Sequence, residues 1–310
     1  MSEKVAYRVL ARKYRPANLD ELIGQEALVR TLKNAIATGR LAHAYLLTGI
    51  RGVGKTTTAR IMARVLNNIP AEQSVDSHID VIEMDAASHT GVDNIREIIE
   101  EAKYKPLSAP YKIYIIDEVH MLSISAFNAL LKILEEPPAH VLFIFATTEV
   151  HKIPKTILSR CQRYDFKRVS VPVICQALKE IVKKEQLQFD DDGLLLIAEL
   201  ADGGMRDALS LTEQVITAQR SQYPAHVIAE ILGVVSHQAV KQLAEHVIRA
   251  EISPALMLAK EVYESGLDLC QLSDALTARF RVLSLCAHLD TYKEALSVIP
   301  GLEERDFSRA

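Results

Sequence analysis

The stretch Gly49-Ile50-Arg51-Gly52-Val53-Gly54-Lys55-Thr56 decides how this 310-residue chain is read. It matches G-x-x-x-x-G-K-[ST], a phosphate-binding loop. Its glycines let the backbone turn tightly, so that successive N–H groups point inward at phosphate oxygens. Lys55 is placed to reach β- and γ-phosphates and Thr56 to hold Mg2+. The nucleotide-binding set predicted here runs through Gly49, Ile50, Arg51, Gly52, Val53, Gly54, Lys55, Thr56 and Thr57. The flanks agree: His43–Thr48 reads as a strand entering the turn, and Lys55–Leu66 as a helix leaving it. The helix adds its N-terminal dipole to the site. The implied ligand is a nucleoside triphosphate such as ATP, with Mg2+.

Outward from the loop, apolar runs alternate with helical patterns. Ile79–Met84 reads as a second strand, then a helix from about Val92 to Ala102. Lys112–Ile116 is a third strand, ending in Asp117-Glu118. Ser125–Glu135 is helical and is stopped by Pro137-Pro138; Val141–Ala146 and Gln162–Phe166 are further strands. Such alternation predicts an α/β domain with a parallel sheet and helices on both faces, binding its ligand at the carboxyl ends of the strands. After Val169 only helical segments follow: Val171–Gln186, Asp191–Ala201, Arg206–Ala218, Ala225–Leu232, then stretches near 237–249, 253–265 and 268–288. The expected division is a nucleotide-binding domain over 1–169, a small helical lid domain over 170–234 and a helical, collar-like domain over 235–310. The last ends at Arg305–Ala310 without an obvious cap, as in a fragment of a longer polypeptide.

Two carboxylates at a strand end, Asp117 and Glu118, supply the second half of a hydrolytic site. Asp117 is read as holding Mg2+ through water, and Glu118 as orienting and activating the attacking water. On its own a paired acid at a strand end is as easily a solvated turn; the loop in the same chain favours the functional reading. Thr147-Thr148 follows the fourth strand, where a hydroxyl meets the γ-phosphate or the lytic water, although Thr also simply suits strand ends. His120 reads as structural, as a lone His beside a loop usually is. Arg160, in Ser159-Arg160-Cys161, and Arg206, after Gly203-Gly204-Met205, would each pass for a surface charge if taken alone.

Composition narrows the class. Hydrophobic residues make up 49% and charged residues 25%, an ordinary globular balance. Trp is absent and aromatics are 5%, so the core rests on Leu, Ile, Val and Ala. A net charge of −4 excludes a surface that is basic throughout; any nucleic-acid contact is local or shared with other subunits. Cys161, Cys175, Cys270 and Cys286 form no C-x-x-C pair, and their spacing suits neither zinc nor a disulfide framework. No apolar run approaches the roughly 18–20 residues that cross a bilayer, and Met1–Arg15 has no signal-peptide core, so the expected setting is cytoplasmic, with no membrane partner.

These motifs occur together in AAA+ ATPases of the clamp-loader clade. Arg12-Lys13-Tyr14-Arg15-Pro16, Gly24-Gln25, His43-Ala44-Tyr45-Leu46, Asp85-Ala86-Ala87-Ser88, Asp117-Glu118-Val119-His120-Met121-Leu122, Leu134-Glu135-Glu136-Pro137-Pro138 and Arg206-Asp207-Ala208-Leu209-Ser210 strongly resemble the gamma/tau family of bacterial DNA polymerase III subunits. The resemblance covers residues 1–235 and weakens beyond. It implies an ATPase that, with delta and delta-prime subunits and further gamma/tau copies, opens a β sliding clamp and grips primer–template DNA. It also implies grouping with a DNA-directed DNA polymerase without polymerase chemistry of its own. By the same resemblance Arg160 is an arginine finger acting in trans, Arg206 a sensor-2 arginine acting in cis, and Thr148 or Thr147 sensor 1. The resemblance further implies that segments near Tyr7–Arg15 and Ile23-Gly24 flank adenine. It also implies that helix starts near Ser88–Gly91 and Ser123–Ser125 hold DNA phosphates, with ordinary N-capping an equal alternative. The family's four-cysteine zinc module is missing, because Asn67–His78 holds no cysteine; no zinc is expected. Two rivals stay open. One is another AAA+ DNA-processing ATPase such as a branch-migration motor, opposed by Ser159-Arg160-Cys161 and Asp85–Ser88. The other is a non-enzymatic clamp-loader scaffold, opposed by the intact loop and Glu118.

Overall fold

A computed structural model describes residues 9–70, 73–88, 91–218, 222–264 and 266–288, with the side chains of 237, 238 and 285–288 left aside. The described residues up to Ile174, together with Ala201–Ser210, form one compact unit; Cys175–Leu200 and those from Leu211 onward form a second.

In chain order the elements are α1 (Leu10–Lys13), α2 (Glu26–Ala37), β1 (Ala44–Thr48), α3 (Lys55–Leu66), β2 (Val81–Asp85), α4 (Val92–Ala102), β3 (Lys112–Asp117), α5 (Ile124–Glu135), β4 (Val141–Thr147), α6 (Lys155–Leu158) and β5 (Gln162–Asp165). They are followed by α7 (Val171–Lys184), α8 (Asp191–Leu200), α9 (Met205–Thr217), α10 (Ala225–Leu232), α11 (His237–Ile248), α12 (Ile252–Glu264) and α13 (Leu269–His288). The strands pair in the order β2-β3-β4-β1-β5, all parallel.

Side-chain alternation along the strands builds two cores. Tyr45 and Leu47 of β1, Ile113 and Ile115 of β3, and Leu142 and Ile144 of β4 face α2 and α3. Leu46, Tyr114, Ile116, Phe143 and Phe145 face α4, α5 and α6. Tyr114, Phe143 and Phe145 stack in succession, with centroids 5.3 and 5.7 Å apart. Cover on both faces explains why the central strands β1, β3 and β4 read as continuous apolar runs, whereas the edge strand β5, Gln162-Arg163-Tyr164-Asp165, is mostly exposed. Parallel pairing sets Thr48 beside Thr147 and Asp165, and Asp85 beside Asp117, so the carboxyl ends share one edge.

The expected architecture is present, with local differences. Strand β2 starts at Val81 rather than Ile79: Ile79 is exposed, and the buried Asp80 carboxylate turns away to accept from the N–H groups of Leu107, Ser108 and Ala109 at 2.7, 2.8 and 3.0 Å. Helix α2 is an unforeseen element, packing Leu28, Val29 and Leu32 into the first core. Helix α5 starts one residue early because the Ser123 hydroxyl accepts from Ala126 N at 3.2 Å and caps it.

In the second unit α8 packs on α10, and Phe189 stacks on Tyr223 at 4.6 Å. Val240, Leu243, Val262 and Leu272 form a small core among α11, α12 and α13. Among the described residues no helix is long and apolar enough to cross a membrane.

Candidate nucleotide site

The loop between β1 and α3 has the backbone its glycines permit. Gly52 (φ +79°) and Gly54 (φ +102°) lie in the left-handed region, where a side chain is strained. At Gly52 there is also no room: a Cβ would stand 2.8 Å from Asp207 Oδ2 and 3.2 Å from Gly204 Cα. That crowding marks where the start of α9 meets the loop, and Arg206 N donates to Gly52 O at 3.1 Å. Gly54 stands at the N-cap of α3 with no side chain to occupy the first-turn N–H groups, which suits an anion.

Lys55 is buried, its ammonium donating to Gly49 O and Ile50 O at 2.8 Å each. Burial lowers its pKa, and the nearby Glu118 and Asp117 carboxylates oppose that shift. The ammonium is therefore aimed across the mouth of the loop, where a phosphate oxygen competes well with two neutral carbonyls.

Thr56 Oγ1 donates to Asp117 Oδ2 at 2.6 Å, and Asp117 Oδ1 accepts from Glu118 N at 2.9 Å. A hydroxyl and a carboxylate brought together at a phosphate loop are hard oxygen donors of the kind Mg2+ takes. Glu118 has φ 46° and ψ 45°, left-handed for a non-glycine residue, which costs about 1–2 kcal/mol and swings its side chain out of the line of β3. Its Oε2 accepts from Thr148 N at 3.2 Å and Thr148 Oγ1 at 3.1 Å. Thr147 is fully buried, and its hydroxyl lies 3.1 Å from His120 Nδ1. Of the two threonines, Thr148 is the one turned to Glu118.

Arg206 shares its surroundings with Arg15. Burial lowers the Arg15 pKa, and the positive charges of Arg60 and Arg206 lower it further. Arg60 is itself clamped by Glu83 through two bonds of 2.7 Å. Arg160 is not brought to the loop. Its guanidinium donates to Glu135 Oε1 at 2.5 Å, Thr156 O at 2.7 Å and Ser159 Oγ at 3.2 Å. Ser123 serves as an N-cap, and Ala87 N donates to Asp85 Oδ1 at 2.9 Å. Tyr7, Arg8, His89 and Thr90, parts of the expected adenine and DNA segments, lie outside the described residues.

Sequence reasoning missed two participants. Glu149 stands 3.3 Å from His120 Nε2, and His120 Nδ1 stands 3.3 Å from Glu118 Oε2. The only signal was an acid directly after Thr147-Thr148. Gln25 was noted only within Gly24-Gln25; its buried amide donates to Lys167 O at 2.8 Å and accepts from Lys167 N at 3.2 Å, tying the chain before α2 to the segment just after β5.

Residues 24–170 match the family model described as DNA polymerase III, delta subunit. Residues 173–220 match the DNA polymerase III clamp loader subunit ATPase lid domain, and 224–306 match DNA polymerase III subunits gamma and tau domain III. The chain is 44% identical to DNA polymerase III subunit tau of Bacillus subtilis, covering 96% of this chain and 54% of that protein. It is 40% identical to subunit tau of Escherichia coli, covering 85% of this chain and 43% of that one. With DNA polymerase III subunit gamma of Buchnera aphidicola (Schizaphis graminum strain) it shares 41% identity over 84% of this chain and 76% of the other. The chain thus spans about half the length of the tau relatives. Among solved structures, the Thermotoga maritima RuvB Holliday junction branch migration motor is similar with TM-score 0.56 at 21% identity, covering 84% of this chain and 88% of that one, a likeness of fold alone.

Proposed function

Because the chain belongs to the gamma/tau family of DNA polymerase III clamp-loader subunits, we propose that it is an ATPase motor subunit that uses ATP binding and hydrolysis to load a sliding clamp onto primed DNA. The observation that carries this is the convergence of Lys55, Thr56, Asp117, Glu118 and Thr148 at one edge of the parallel sheet.

In this reading the backbone of Gly49–Thr57 holds the phosphates, and Lys55 exchanges its two loop carbonyls for phosphate oxygens. Thr56 and Asp117 hold Mg2+, which when bound neutralises charge developing on the phosphates. Glu118 accepts a proton from the attacking water, and Thr148 orients that carboxylate. Arg206 acts on ATP bound to its own chain. Arg160, held on α5–α6, acts on ATP bound to the next subunit, stabilising the equatorial oxygens of the transferred group.

The partners are delta and delta-prime subunits, further gamma/tau copies, the β sliding clamp and primer–template DNA. Residues 170–234 are read as the lid and 235–310 as the collar-like part. The exposed apolar side chains Ile248, Ile252, Leu256 and Met257 suit subunit contacts there. The chain is read as free of zinc, and as serving a polymerase assembly without polymerase chemistry of its own. The scaffold alternative draws on the delta-subunit description of the model matched over 24–170. The intact loop and the Thr56–Asp117 pair weigh against it.

ATP turnover with and without clamp and primed DNA decides among these readings. Stimulation by both together is expected of a clamp-loading motor; absent turnover in the full assembly indicates a scaffold. Lys55→Ala is expected to lose ATP binding or hydrolysis, checked by calorimetric titration and a turnover assay; normal behaviour in both would contradict the site.

A further inference from the structure

We propose that His120 is a positioning residue, which fixes the Glu118 carboxylate against the turn that follows β4; the proposal rests on the reading of Glu118 as the base. The His120 side chain is only 6% exposed, yet both ring nitrogens meet polar atoms. Nδ1 is hydrogen-bonded to Thr147 Oγ1 at 3.1 Å and lies 3.3 Å from Glu118 Oε2. Nε2 lies 3.3 Å from Glu149 Oε1. Thr147 Oγ1 also accepts from Glu149 N at 3.0 Å, while the next residue, Thr148, donates twice to Glu118. One imidazole thus touches both segments, the turn after β3 that carries Glu118 and the turn after β4 that receives it.

The arrangement is more than space-filling. A buried ring whose task is to fill space needs no polar partner, and burying its nitrogens is costly unless they are engaged. Here they face two carboxylates and a hydroxyl from segments about thirty positions apart in the chain. The Glu149 carboxyl is in turn held below its usual pKa, first by its bond from Lys152 and then by the charges of Lys152, His120 and His151. Among the described residues no three carboxylate, imidazole or thiol groups are placed to hold a metal ion. A glutamate has three side-chain torsions to order, and Glu118 is 31% exposed, so without the brace its carboxylate spreads over several rotamers. His120 therefore acts through Glu118, on the alignment of water, and leaves the grip on ATP alone.

The test is steady-state ATP hydrolysis by the chain assembled with its partner subunits, clamp and primed DNA, with ATP affinity measured alongside. The variants are His120→Ala, His120→Asn, His120→Gln and, as reference, Glu118→Gln. The Asn amide takes the place of Nδ1 and keeps the side toward Thr147 and Glu118; the Gln amide reaches only toward Glu149. Expected is a fall in kcat of about tenfold or more for His120→Ala, with KM and Kd for ATP within about twofold, substantial recovery in His120→Asn and little in His120→Gln. Full kcat in His120→Ala beside an inactive Glu118→Gln overturns the proposal and leaves the reading of Glu118 intact. Full turnover in Glu118→Gln removes that reading itself. Equal recovery by Asn and Gln, or a loss of ATP affinity that matches the loss of kcat, overturns the proposal in favour of packing. If His120→Ala does not fold, the comparison of Asn with Gln decides alone, equal rates counting against it.

Discussion

The carboxyl edge of the sheet and the neighbourhood of Arg160 lie in the same compact unit, but they are finished in different ways. At the edge, each group has a partner that belongs to the site: Lys55 on the loop carbonyls, Thr56 on Asp117, Glu118 on Thr148 and His120. Among the described residues Arg160 bonds to Glu135, Thr156 and Ser159, partners on its own side of the fold. The edge gathers the groups proposed to hold ATP and activate water, and Arg160 is bonded elsewhere. That separation is what the proposed finger role, acting on a neighbouring subunit's ATP, would explain.

The largest effect that would break this contrast is that of Arg160. In the assembled complex, Arg160→Ala is expected to lower DNA-stimulated hydrolysis by about 10³–10⁵, the usual worth of an arginine finger, while nucleotide binding to the isolated chain stays unchanged. Undiminished turnover removes the finger. Glu118→Gln comes next: a loss of about 10²–10⁴ in kcat with ATP still bound, measured by single-turnover hydrolysis and equilibrium titration. If the loss appears in affinity instead, Glu118 belongs to binding rather than to chemistry.

Smaller effects test the scaffold. Asp80 accepts from three backbone N–H groups and from Ser108 Oγ, pinning the chain between α4 and β3. Asp80→Ala is expected to cost about 1–3 kcal/mol in denaturant unfolding, with the ATP site unaffected until the fold is lost. Burial alone would raise the Asp80 pKa, but these donors outweigh it and hold it below the ordinary 3.8. A depressed carboxylate contributes stability that is fully present above the unfolded value and is lost as the pH falls through the folded one. The difference in stability between wild type and Asp80→Ala should therefore hold constant near neutrality and shrink only in acid below about pH 4. Shrinkage beginning near neutrality contradicts the assignment. Least of all, Glu135→Ala should shift turnover of the assembly by no more than a few-fold, since a partly exposed ion pair is worth about 0–1 kcal/mol. A loss equal to that of Arg160→Ala would make Glu135 part of the machinery.

Much of this was legible in the sequence, for reasons that particular residues make plain. The central strands β1, β3 and β4 announced themselves because a sheet covered on both faces needs apolar side chains on both. Helices α3, α4 and α10 start and stop where their patterns do, at Lys55–Leu66, Val92–Ala102 and Ala225–Leu232. The loop motif carries its own geometry, because its glycines are demanded by backbone conformation. Helix α2 escaped notice because its buried stripe is only Leu28, Val29 and Leu32. Ile79 and Asp80 imitated the start of a strand, but Asp80 is buried for the sake of a loop more than twenty-five positions away. The bracing of Glu118 by His120 and Glu149 depends on two strand ends meeting by parallel pairing, and no local pattern encodes that. Which threonine faces Glu118 is likewise set by alternation at the last residue of β4, where Thr147 points into the fold and Thr148 out of it.

The division of the site can be tested by complementation. Chains carrying Arg160→Ala retain Glu118, and chains carrying Glu118→Gln retain Arg160; each preparation alone should be inactive when assembled with partner subunits, clamp and primed DNA. Mixed before assembly, they create interfaces in which an intact Glu118 meets an intact Arg160 from the neighbour. ATP hydrolysis is expected to return in the mixture to a measurable fraction of the wild-type rate. Mixed assemblies that form normally and hydrolyse no faster than either variant alone would contradict the divided site.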